Sequence, residues 1–403
     1  MSLDTGDTSF MLVATALVMI MTPGLAFFYG GLVSRKNVLA IMMQSYVSMG
    51  VSTILWVAVG YSLCFSGDVG GMGIIGNLDM AFLRGIEVTD LGGLNDTIPL
   101  LLFVVYQMMF AIITPALITG AFANRITFKA YLIFLVAWQI LVYYPFVHMI
   151  WGGGMLADWG VLDFAGGIVV HALAGMAALA SVIYVGKRGV EDAGAHNVPF
   201  VAIGAALLWF GWFGFNAGSE LAVDGVTAVA FINTQIAAAF AAITWLLLAW
   251  HYDGKPSFVE MLIGMIAGLA TITPAAGFVS PQSAMLIGVA AGAACYFAVV
   301  FRKKKGLDDA LDVWGVHGVG GALGIIMLGV LASESIGGQN GLYHGNQDFF
   351  MVQLAGLALA CVWAFAFTYG MLMMIDKVTP VRVSEEAEAA LDVTLHGESA
   401  YTD

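Results

Sequence analysis

An all-α polytopic membrane protein with eleven transmembrane helices is the architecture this sequence points to, on three observations. Only 10 % of its 403 residues are charged and 60 % are apolar, against about 25 % and 45–50 % in soluble globular chains. The apolar residues gather into eleven nearly uncharged stretches, most of them close to the roughly 20 residues that span a hydrocarbon core. When the stretches are threaded alternately, the basic residues fall almost entirely on one side. This composition excludes a water-soluble globule and a disordered chain, and the lack of a basic face excludes a nucleic-acid binder.

Taken in order, the first span covers 10–32, after an acidic start (Asp4, Asp7) without the positive segment of a cleavable signal peptide. Spans at 39–63 and 98–122 follow, separated by a loop of about 34 residues that holds Asp68, Asp79, Glu87, Asp90 and Asp96. The remaining spans are 128–150, 165–186, 199–217, 228–250, 258–273, 284–301, 313–333 and 350–375. The eighth is short because Pro274 and Pro281 interrupt it. An odd number of spans puts the termini on opposite faces. With the N-terminus outside, 13 of the 14 Lys and Arg lie in inner loops or the tail, and only Arg84 lies outside. The chain thus divides into an eleven-helix domain, 1–375, and a cytoplasmic tail, 376–403. The formal charge of −13 sits in loops and tail.

Cys64, Cys295 and Cys361 lie in or beside apolar stretches without motif spacing, so they read as small core residues and not as a disulfide framework or a zinc site. The 50 glycines concentrate in spans as pairs and small-x-x-small runs, where they let helix backbones approach in lipid. Thr114-Pro115-Ala116 in span three recurs as Thr273-Pro274-Ala275 in span eight, and spans five and ten each place a histidine after an aspartate. Five spans separate each pair, an odd offset that inverts the second copy. Two inverted five-helix halves plus an eleventh helix are expected, with a site near the midplane.

Ionisable groups at membrane depth mark function. His171, about eight residues or roughly 12 Å inward from Asp163, and His317, about five residues outward from Asp312, approach the midplane from opposite faces. Paired imidazoles there suit a path for protons or small polar molecules, or axial ligation of a haem. Asp163 and Asp312 stand where a carboxylate caps a helix N-terminus. At the outer mouth, Trp151, Trp212, Phe213 and Phe215 gather with Ser219, and Tyr106 lies buried in span three. Aromatic faces with a hydroxyl and few charges suit a small, weakly hydrated cation.

These segments resemble the ammonium transporter family, the Amt/Mep branch of the Amt/Mep/Rh superfamily, over essentially the whole chain. The resemblance rests on Thr-Pro-Gly-Leu-Ala-Phe-Phe-Tyr-Gly-Gly from Thr22, His-Met-Ile-Trp-Gly-Gly-Gly from His148 and Asp-Phe-Ala-Gly-Gly-Ile-Val-Val-His from Asp163. Gly-Trp-Phe-Gly-Phe-Asn-Ala-Gly-Ser from Gly211, Asp-Val-Trp-Gly-Val-His-Gly-Val-Gly-Gly from Asp312 and Leu-Asp-Val-Thr-Leu-His-Gly-Glu-Ser-Ala-Tyr from Leu391 complete it. It implies a homotrimer in the cell membrane with one pore per subunit, no cofactor and no enzymatic step. It also implies an outer ammonium site at Trp151 and Ser219 supported by Asp163, twin pore histidines His171 and His317 beside Trp212, and a gate of two stacked aromatics. Phe215 matches the second gate position, and Tyr106 is matched to the first, where the family has phenylalanine.

The expected mechanism is recruitment of ammonium, loss of its proton and passage of ammonia, with or without that proton, through the histidine pore to the cytoplasm. A cytoplasmic PII signal protein is the partner the resemblance suggests, facing Lys36, Arg125, Lys187, Arg188 and Arg302 to Lys305, with the acidic tail (Glu385, Glu386, Glu388, Asp392) alongside. Two rivals remain: an ammonium sensor, usually marked by an appended soluble domain where here the tail is about 28 residues, and an Rh-type channel for ammonia or carbon dioxide.

Overall fold

A computed structural model describes residues 2–190 and 194–401. Ten helices in it are long and apolar enough to cross a membrane, and an eleventh, Phe258–Ile272, is apolar but shorter, as the flanking prolines lead one to expect. We number them α1 (Thr5–Leu32), α2 (Val38–Phe65), α3 (Leu100–Ile118), α4 (128–150), α5 (Gly167–Val185), α6 (Val198–Glu220), α7 (Gly225–Asp253), α8 (Phe258–Ile272), α9 (Pro281–Lys304), α10 (Trp314–Leu331) and α11 (Gln347–Asp376). No β-strand occurs among the described residues, only isolated bridges such as Ile126 with Arg382.

Local chemistry sets the ends. Helix α1 begins five residues earlier than its apolar run because the Asp4 carboxylate accepts the Asp7 N–H at 2.9 Å. Asp224 caps α7 the same way, accepting from Val226 and Thr227. Pro115 is carried inside α3, whereas α8 ends before its proline. In lipid the backbone groups that a proline frees must find partners. The non-helical segment after α8 meets the same demand: the Pro274 carbonyl accepts the Phe164 N–H at 3.2 Å, and the Ala276 and Val279 carbonyls accept from Asn233 at 2.9 and 2.8 Å.

Glycine decides where helices touch. Helices α1 and α6 run along one another, and a Cβ at Gly31 would lie 2.6 Å from the Asn197 carbonyl oxygen. The crossing that matters is between α5 and α10. Gly175 and Gly321 each stand four residues, one helical turn, after a midplane histidine. A Cβ at Gly175 would meet the His317 carbonyl carbon at 2.9 Å, and one at Gly321 would meet the His171 Cβ at 2.8 Å. Only glycine at both positions lets the two histidines meet edge to edge.

The chain after α11 returns across the loops that join the helices. Leu391 donates its N–H to Asn37 at 2.8 Å, Asp392 accepts the Ala40 N–H at 2.8 Å, and the Tyr401 hydroxyl is 2.8 Å from His196 Nε2. Glu388 accepts from Gly189 at 2.9 Å and from Arg382 at 3.1 Å. Arg125 and Arg302 are also buried, held by backbone carbonyls and by Asp308 and Asp312. The exposed basic positions on this face are therefore fewer than the sequence suggests.

Candidate functional site

The site begins as a vestibule of about 300 Å3 whose walls include Gln107, Phe110, Trp151, Asp163, Ser219 and Glu220. Trp151 sits where α4 ends, and its Nε1 donates to the Asp163 carbonyl at 2.8 Å, which fixes the indole. The Asp163 carboxylate is fully used by backbone. One oxygen accepts from Gly166 and Gly167 at 2.9 and 2.6 Å, the other from Ile168 and Val169 at 2.7 and 3.0 Å. The chain folds around it because Gly166 takes φ 120°, a region closed to side-chain-bearing residues. Four N–H donors hold the charge in place of water, so this aspartate builds the wall without presenting a free oxygen to the vestibule.

Across the vestibule, the Ser219 hydroxyl donates to the Phe215 carbonyl at 2.9 Å and lies 3.2 Å from the Tyr106 hydroxyl. Tyr106 in turn donates to the carbonyls of Gly214, at 2.9 Å, and Phe215, at 3.1 Å. Here the structure corrects the expected pairing. The ring that lies on Phe215, with centroids 4.4 Å apart, belongs to Phe110, which also meets Trp151 edge-on at 6.0 Å. Tyr106 packs edge-on against Phe110 at 5.1 Å, behind it. The reason is helical: one turn separates 106 from 110 on α3, and the tyrosine hydroxyl needs buried acceptors, which the end of α6 supplies. Sequence reasoning missed Phe110, and its signal was the spacing of four from Tyr106.

Below the ring pair lies a cavity of about 20 Å3, lined by His171, His317, Trp212, Phe215, Tyr29 and other apolar side chains. That is room for roughly one water-sized molecule. Phe215 and Trp212 flank the His171 ring, with centroids at 6.0 and 5.4 Å and planes inclined by 28° and 22°, and the Trp212 Nε1 donates to Thr273 at 2.9 Å. The two imidazoles lie nearly in one plane and meet edge to edge, centroids 5.2 Å apart, with Nδ1 facing Nδ1 at 3.2 Å. Each histidine sits in a π-helical turn, Gly167–Ala172 and Trp314–Gly318, a distortion often found at functional positions.

The two histidine helices begin alike, but not with the aspartate the sequence pattern singled out. Asp309, eight residues before His317 as Asp163 is eight before His171, accepts the Trp314 N–H at 2.7 Å. Asp312 instead pairs with Arg302 and takes φ 57°. Burial, with Asp312 nearby, pushes the Asp309 carboxyl up to about 6.

Residues 9–401 match the model of the Ammonium Transporter Family. The chain belongs to this family. It is similar to the ammonium transporter of Bacillus subtilis (strain 168), 46 % identical over 403 residues and 99 % of each chain. Its fold is similar to the crystal structure of Saccharomyces cerevisiae Mep2, with a TM-score of 0.89 at 33 % identity over 95 % of this chain and 88 % of that one. A structure described as a sensor Amt protein aligns with TM-score 0.89 and 29 % identity, over 97 % and 98 % of the two chains. The protein is accordingly a multi-pass membrane protein of the ammonium transporters, whose relatives are named as transporters and not as enzymes.

Proposed function

We propose that ammonium is recruited in the vestibule between Trp151, Phe110 and Ser219, loses its proton there, and crosses as ammonia past Phe110 and Phe215 to the His171–His317 pair. The observation that carries this reading is the sequence of spaces: a vestibule of about 300 Å3, a closed ring pair, and a cavity of about 20 Å3. An ion entering the lower cavity would shed its water among apolar walls, at a cost of several kcal/mol. Neutral ammonia pays far less and hydrogen-bonds to imidazole.

In this reading the vestibule binds the ion by cation–π attraction to the indole and by the serine hydroxyl, and Asp163 positions both the indole and the start of α5. Tyr106 positions Ser219 and Phe110 from behind. Between two Nδ1 atoms 3.2 Å apart one proton is shared, so one imidazole donates and the other accepts. The pair offers a polar lining without fixed charge, and a relay for the proton if it follows. The N-terminus faces outside, residues 376–403 lie in the cytoplasm, and three copies assemble in the cell membrane. A PII-type partner would read Lys36, Lys187 and Lys303 to Lys305, since Arg125 and Arg302 are buried.

Proteoliposomes of the purified protein, challenged with an ammonium jump on a supported membrane, test the proposal. Uptake with current means that net charge crosses, and uptake without current means conduction of ammonia alone. A protein whose role is sensing gives neither at transport rates. Phe110→Ala combined with Phe215→Ala is expected to admit potassium; a variant as tight to potassium as wild type places the gate elsewhere.

A further inference from the structure

The vestibule carries a charge that recruitment by Trp151, Phe110 and Ser219 leaves unused. Among the described residues that line it, only Asp163 and Glu220 are ionisable, and both are acids. Asp163 is taken up by four backbone N–H groups. The Glu220 carboxylate, half-buried at the last position of α6, has no hydrogen bond or ion pair among the described residues. A carboxylate withdrawn from water without a donor is costly, and an arriving cation is the partner that relieves it.

The backbone holds Glu220 in place. It closes the turn Gly218–Glu220, and Leu221 after it takes φ 61°, in the left-handed region, while donating its N–H to the Gly218 carbonyl at 3.0 Å. The Leu221 carbonyl accepts from Asn95 at 2.9 Å, and the Val223 N–H donates to Asp7 at 2.8 Å. A Cβ at Gly218 would lie 2.7 Å from the Tyr106 hydroxyl oxygen, so the turn sits tight against α3. Ser219 and Glu220 thus reach the vestibule from consecutive positions of one clamped turn. Asp224, the nearest carboxylate along the chain, is committed to capping α7 and does not line the vestibule.

We propose that Glu220 is the counter-ion of recruited ammonium, so that the vestibule binds the cation with an indole face, a hydroxyl and one full negative charge. The proposal rests on the reading of the vestibule as the recruitment site and adds to it the charge that ring and hydroxyl lack. A ring face and a hydroxyl act at contact, whereas a charge acts over several ångströms and concentrates cations at the mouth before contact is made. Glu220 stands on the vestibule side of Phe110 and Phe215 and is absent from the walls of the lower cavity. It therefore raises capture without drawing an ion past the ring pair.

Ammonium uptake into proteoliposomes at about pH 8, well above the carboxylate range, tests the assignment in wild type, Glu220→Gln, Glu220→Asp and Trp151→Leu. No group of the described chain bonds to the Glu220 carboxylate, so neither substitution there strands a partner. Half-saturation for ammonium should rise roughly five- to tenfold in Glu220→Gln, the order of one charge pair facing water, with a smaller change in maximal rate. Glu220→Asp should restore most of the loss. Raising ionic strength with N-methylglucamine chloride, equal on both sides, should weaken binding in wild type and leave Glu220→Gln nearly flat, because salt screens a charge far more than a ring face. An unchanged half-saturation in Glu220→Gln, or the same salt dependence in both proteins, overturns the proposal. So does an equal shift in Asp224→Asn, which would make the attraction a property of the whole rim. If Trp151→Leu shifts half-saturation and Glu220→Gln does not, the counter-ion fails alone; if neither shifts it, the vestibule reading fails as well.

Discussion

Helices α5 and α10 are built to one plan and finished differently. Each starts with an aspartate eight residues before a histidine, carries that histidine in a π-helical turn, and places a glycine one turn later against the other helix. Yet Asp163 is saturated by four backbone N–H groups, while Asp309 has an oxygen, Oδ1, without a hydrogen-bond partner among the described residues. The first opens on an aromatic vestibule, the second on loops crossed by the tail. The difference teaches that a repeated scaffold supplies the central imidazole pair, and that the two ends differ by what each adds to it.

The largest effect expected from this contrast is at Asp163. Asp163→Ala strands four buried N–H groups and should cost about 3–5 kcal/mol, against about 1–2 kcal/mol for loss of a single helix cap in Asp309→Ala. Thermal unfolding of the two variants measures this, and equal losses would dissolve the distinction. Next comes the pH response of the second end. A carboxyl raised to about 6 stabilises the fold when protonated: its contribution is complete below about 3.9, the unfolded value, and is lost as pH rises through about 6. Wild type should gain stability, by up to about 3 kcal/mol, between pH 7 and 4 relative to Asp309→Asn. Parallel curves for the two proteins would show that Asp309 does not titrate there.

Smaller shifts separate the residues of the vestibule. Trp151→Leu removes a cation–π face worth about 1–2 kcal/mol, so half-saturation for ammonium should rise roughly 5- to 30-fold; an unchanged concentration dependence would remove the indole from the site. Tyr106→Phe deletes only hydroxyl hydrogen bonds, about 1 kcal/mol. It should raise half-saturation a few-fold and leave potassium excluded. Potassium leak in this variant would return the gate to Tyr106.

Much of this was legible in residues. The spans, the short eighth helix, the midplane histidines and the neighbourhood of Trp151 with Ser219 all follow from apolar length, proline and the rarity of polar groups in lipid. What failed was choosing among neighbours on one helix. Tyr106 and Phe110 are one turn apart and both aromatic, and only the buried acceptors at Gly214 and Phe215 decide which ring turns its edge away. Asp309 and Asp312 both precede the second π-turn, and the choice hangs on Arg302, ten residues before Asp312 and across a loop. The docking of the tail was not legible either, since its partners, Asn37, Gly189 and His196, are scattered over separate loops.

The proposed role of the imidazole pair depends on the absence of fixed charge, so the decisive measurement gives it one. Currents evoked by potassium and by ammonium jumps would be recorded from proteoliposomes of wild type, His171→Asp and His317→Glu. Wild type should be silent to potassium, and both acid variants should conduct it, because a carboxylate hydrates the cavity and attracts any monovalent cation. Acid variants that stay silent to potassium while transporting ammonium as wild type does would contradict the account and leave the histidines a structural pair.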